Sequence, residues 1–105
     1  MEKRLTIIYR LEPGCLGPDG VDHILPFCQL INTALRKKEH PYVCWQVVAR
    51  HDKSLPETQY FVAGKLLSQP QAQVYLAKAE QSLGDTVEQF EEMLTQFINH
   101  YIARK

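Results

Sequence analysis

YVCWQVVAR, residues 42–50, is the stretch on which the reading of the fold turns. Val43, Trp45, Val47 and Ala49 form one apolar side. Tyr42, Cys44, Gln46, Val48 and Arg50 form a mixed one. A two-residue period of this kind predicts a β-strand with two unlike faces. A strand cannot stand alone, so the flanking segments decide what it pairs with.

Upstream, residues 22–38 place Ile24, Phe27, Cys28, Ile31 and Leu35 at helical spacing. Asp22 suits the N-cap, which puts Pro26 in the first turn, where a missing N–H is tolerated. Further upstream, KRLTIIYRL (3–11) alternates again, with Leu5, Ile7 and Tyr9 on one side and Thr6, Ile8 and Arg10 on the other. A strand, a helix and a strand in this order predict a right-handed crossover joining two parallel strands.

Downstream, HDKSLPE leads into ETQYFVAG (57–64), a third strand antiparallel to the second, which Gly64 ends. Lys65 to Leu67 allow a short fourth strand. Ser68 and Gln71 form an S-x-x-Q capping box with Pro70 in the first turn. The stripe Ala72, Tyr75, Leu76, Ala79 and Leu83 then predicts a helix closed by Gly84. Asp85 and Glu88 start another, with Val87, Phe90, Leu94, Phe97, Ile98 and Tyr101 as its apolar face. The expectation is an α+β two-layer sandwich of β-α-β-β-α-α order. It has a small mixed three-stranded sheet, the short fourth strand allowed, and its helices on one face.

The bulk numbers narrow the class. A chain of 105 residues reads as one domain, residues 1–105, and 45% apolar residues suffice for a core without metals or disulfides. The apolar runs fall far short of the roughly 20 residues a membrane helix needs. The start of the chain carries no leader pattern, and three cysteines cannot all pair within the chain. Together these features predict a soluble cytoplasmic protein with free thiols. The zero net charge weighs against sequence-independent nucleic-acid binding, which depends on many Lys and Arg contacts to phosphate.

The most conspicuous loop is EPGCLGPDGVDH, residues 12–23, with three of the five glycines and two of the six prolines. It stands where phosphate-binding loops stand, between a strand and a helix. Its spacing fits neither G-x-G-x-x-G nor G-x-x-x-x-G-K-[ST], and it contains no lysine. The stronger reading is a rigid turn, with Pro18-Asp19-Gly20 favouring a tight β-turn. If the first two strands are parallel, this loop and the segment after Arg50 share one edge of the sheet. Ligand sites favour that edge. Cys15, Asp19, His23, Arg50, His51 and Asp52 are therefore the candidate binding cluster.

Catalysis finds little support. Cys15 ahead of a helix, with His23 or His51 as base, is the only nucleophilic arrangement on offer. There is no C-x-x-C and no C-x5-R pattern, so a non-catalytic protein is favoured. The four histidines are scattered; His40 and Cys44 fall at i and i+4, but no zinc-type spacing occurs, and neither metal nor cofactor is expected. The mixed sheet face is the better clue. Ile8, Arg10, Tyr42, Gln46 and Val48, with Tyr60 or Phe61 depending on register, are too apolar for bare solvent and too polar for a deep core. Such a patch marks an interaction surface. The leading expectation is an intracellular protein-interaction domain, with a homodimer as one form. The alternatives are single-stranded nucleic acid on the open sheet and a cysteine-dependent enzyme using Cys15.

Overall fold

The computed structural model describes residues 4–37 and 42–104. Its strands are β1 (Leu5–Leu11), β2 (Val43–Ala49), β3 (Thr58–Val62) and β4 (Lys65–Leu67). Its helices are α1 (Gly20–Lys37), α2 (Gln69–Ala77) and α3 (Leu83–Arg104), with a short 3-10 turn at Pro13–Leu16. The sheet order is β2-β1-β3-β4. β1 and β2 are parallel, with Ile7 beside Trp45, and β3 runs antiparallel to β1. The third strand thus pairs with β1, not with β2. The 50–57 connection crosses over the end of β1, because the parallel pair leaves the inner edge of β1 open to it.

Every buried strand residue faces one layer: Leu5, Ile7, Tyr9 and Leu11 of β1, Val43 and Val47 of β2, and Tyr60 of β3. The helices cover that layer. Leu16, Ile24, Phe27, Cys28, Ile31, Phe90 and Leu94 pack with Tyr9, Leu11 and Val47 at one end. Ala72, Leu76 and Leu83 pack with Leu5, Ile7, Val43 and Tyr60 at the other, and Trp45 lies against both groups. Phe90 stacks flat on Trp45 at 3.9 Å between ring centroids and tilts against Tyr9 at 5.2 Å. One ring therefore seats α3 across both parallel strands, an arrangement that adds to simple area burial.

Three boundaries differ from the sequence expectation. α1 begins at Gly20, so Pro26 lies in the second turn, not the first. The bond it cannot make belongs to the Asp22 carbonyl, and both residues are exposed, so water can replace the partner. Gly84 lies inside α3, not at the close of the previous helix. Ser82 caps that helix, its hydroxyl accepting from the Asp85 N–H, so Asp85 is not the cap. α2 ends earlier, at Ala77. Glu80 takes φ 59°, with Glu80 N–H donating to Ala77 O and Gln81 N–H to Leu76 O. This pair of bonds is the Schellman ending, made here without the usual glycine. The Ser68–Gln71 capping box forms with both reciprocal bonds. Lys3, Lys38, His40 and Lys105 lie outside the described residues.

The 12–23 loop is a turn with a deep anchor. Gly20 N–H donates to Gly17 O, closing a β-turn over Pro18-Asp19, and Leu16 is fully buried. A Cβ at Gly20 would overlap the Pro13 carbonyl oxygen. Gly20→Ala must therefore push backbone against backbone. Urea denaturation is expected to show a loss of about 1–3 kcal/mol or more; an unchanged midpoint would contradict this packing.

Candidate functional site

The C-terminal ends of β1 and β2 do lie side by side. Leu5 N–H donates to Tyr42 O at one end of the pair and Arg50 N–H to Leu11 O at the other, each at 2.9 Å. The two loops meet through Arg50. Its Nη1 lies 3.1 Å from Glu12 Oε1, and its Nη2 donates to Leu55 O at 3.3 Å. Lys53 approaches the other Glu12 oxygen at 4.0 Å. Arg10, at the end of β1, donates to Pro56 O at 3.0 Å. Both arginines thus grip successive carbonyls of the same loop. Asp52 folds the loop tip by accepting from the N–H and hydroxyl of Ser54. Those two bonds hold its carboxyl below the ordinary value.

Asp19 and His23 form a second group. His23 Nε2 lies 3.3 Å from Asp19 Oδ2, and Nδ1 lies 3.1 Å from the Tyr101 hydroxyl. The Tyr101 ring meets both His23 and Phe27 edge-on. The trio ties the start of α1 to the far end of α3. Both ring nitrogens of His23 are engaged, so it offers no free nitrogen to a thiol. Cys15 and His51 are exposed. The six cluster residues therefore divide into a loop clamp on Arg50, a helix tie on His23, and two exposed side chains. Among the described residues no three His, Cys, Asp or Glu side chains converge as metal ligands, and no helix is long and apolar enough to cross a membrane.

The opposite face of the sheet is different. The register sets Cys44, Thr6, Phe61 and Leu66 in one row across all four strands, and Gln46, Ile8 and Gln59 in the next. Val48 and Arg10 follow. Phe61, not Tyr60, is the ring on this side, and Tyr42 stands exposed just before β2. None of these side chains is buried, and Leu66 is 59% exposed. No known protein family, curated protein or solved structure matches this chain. The reading of function therefore rests on geometry.

Sequence reasoning missed Glu12, Tyr101 and the carbonyls of Leu55 and Pro56 as partners. Glu12 had a signal: it follows β1 directly, as Arg50 follows β2. The carbonyls had none, because backbone acceptors are identical at every position.

Two buried protons make the fold sensitive to alkali. Burial pushes the Cys28 thiol from 9.0 up to about 11. Burial, and then the Glu57 and Glu91 carboxylates, raise the Tyr9 phenol, which donates to Glu91 at 3.3 Å. The unfolded thiol loses its proton from about pH 9, whereas the folded one holds it to about 11. The folded state then binds more protons, so stability falls as pH rises through that window. Melting temperatures followed from pH 8 upward are expected to decline there and to decline less in Cys28→Ala; a flat profile would contradict this.

Proposed function

We propose that this chain is a non-catalytic interaction domain that docks a protein partner, a second copy included, on the open face of its sheet. One observation carries the reading. The helices occupy only the other layer, leaving Ile8, Val48, Phe61, Cys44 and Leu66 in a continuous semi-apolar surface.

Chemistry favours a protein over a nucleic acid. Among the nine strand residues of this face, Arg10 is the one charged side chain, and it is engaged with Pro56 O. Phe61 is the one aromatic ring among those nine. A single-stranded nucleic acid would find one stacking platform and no track of cations for its phosphates. A half-apolar face with a single charge, itself tied to Pro56 O, carries little self-repulsion, which suits a second copy.

Size sets the strength. Strands of seven, seven, five and three residues, at about 3.3 Å per residue and about 4.8 Å apart, cover roughly 350 Å². A standard stable interface uses about 800 Å² per partner. Association through this face is therefore weak and reversible, strengthened only where rim residues such as Tyr42 join it.

Sedimentation velocity from micromolar to millimolar concentration tests the reading. Concentration-dependent dimers are expected, weakened roughly tenfold or more by Phe61→Lys or Ile8→Lys. A species that stays monomeric throughout, or dimers indifferent to both substitutions, would refute the self-association. Salt-sensitive binding of a mixed-sequence oligonucleotide would favour the nucleic-acid alternative.

A further inference from the structure

The sheet ends at β2, and that edge is where a fifth strand would add. The bonds of Leu5 to Tyr42 and of Arg50 to Leu11 fix which β2 residues face β1: the even-numbered ones. The backbone groups of Val43, Trp45, Val47 and Ala49 therefore point outward. At Val47 both are taken by one side chain. Asn32 Nδ2 donates to Val47 O at 2.8 Å, and Val47 N–H donates to Asn32 Oδ1 at 2.9 Å. An amide side chain that donates and accepts on the same residue reproduces what the backbone of a neighbouring strand would do. Asn32 reaches there because α1 crosses back over β2, with Cys28 and Ile31 buried beside it.

We propose that Asn32 is a strand surrogate that closes the β2 edge, and that without it a second copy of the chain pairs edge to edge through β2. Exposed edges template such pairing, and proteins block them by covering or charging the edge. β2 is seven residues long, with three valines and one tryptophan, which makes it a capable template. The opposite edge, β4, has only three residues. Closing β2 therefore removes the one long edge of this sheet and leaves its face as the surface for partners. In that last respect the inference meets the proposed function, but the bonds that carry it are separate.

The test is made in a Phe61→Lys background, which keeps association through the sheet face out of the readout. Asn32→Ala in that background is expected to sediment at twice the chain mass at concentrations where the parent is monomeric. Asn32→Asp keeps an acceptor for the Val47 N–H and sets a negative charge on the edge, so it is expected to stay monomeric. A folded Asn32→Ala protein that remains monomeric overturns the proposal, as does an Asn32→Asp protein that dimerises equally. Should Asn32→Ala not fold, amide exchange of the unsubstituted chain decides. The Val47 amide is expected to be protected like that of inward-facing Val48; exchange at the rate of an exposed loop amide would overturn the surrogate role. Failure of the sheet-face reading would appear instead as an unsubstituted chain and a Phe61→Lys variant that sediment alike.

Discussion

The parallel pairing of β1 and β2 is the constraint from which the rest follows. Parallel strands cannot be joined by a tight turn, so the chain must cross over, and α1 is that crossover. The crossover commits α1 to one layer of the sheet. Phe90 then brings α3 to the same layer by lying on Trp45 and Tyr9, one ring from each of the paired strands. The same pairing brings Glu12 next to Arg50 and lets Arg10 and Arg50 hold the 50–57 loop together. One-sided cover, the loop clamp and the bare face are consequences of a single choice of strand direction.

Much of this was legible in the sequence because burial on one face writes a two-residue period. β1 reads as alternately buried and half-buried along its whole length, as its sequence does. The Ser68–Gln71 box was legible because its residues are specific to that role. What escaped has physical causes. The pairing of β3 with β1 depends on which edge is free, and periodicity does not encode edges. The end of α2 at Glu80 escaped because a non-glycine residue adopts the left-handed conformation there. Asn32 gave only a faint signal, as a polar residue on the rim of an apolar stripe.

The candidate site was half legible. Parallel strands foretold that two distant loops would meet, and Arg50 meets Glu12 there. The uses of the polar groups were not foretold. Arg50, Asp52, Asp19 and His23 are occupied in holding loops and helices in place. Groups so engaged stiffen the edge where α/β proteins commonly bind ligands, and chemical interest shifts to the face that no helix covers. The weak association proposed for a face of roughly 350 Å² would suit a module that works reversibly, and the proposed closure of the β2 edge by Asn32 would suit a sheet that must not extend without limit.

The direction of β2 relative to β1 can be measured directly. Nuclear Overhauser contacts between the two strands in solution should follow the parallel register: Ile7 beside Trp45 and Tyr9 beside Val47, through contacts from α-protons to amide protons. Short contacts between facing α-protons of β1 and β2 mark antiparallel strands. Their presence, or the absence of any contact between these strands, would contradict the fold and everything derived from it.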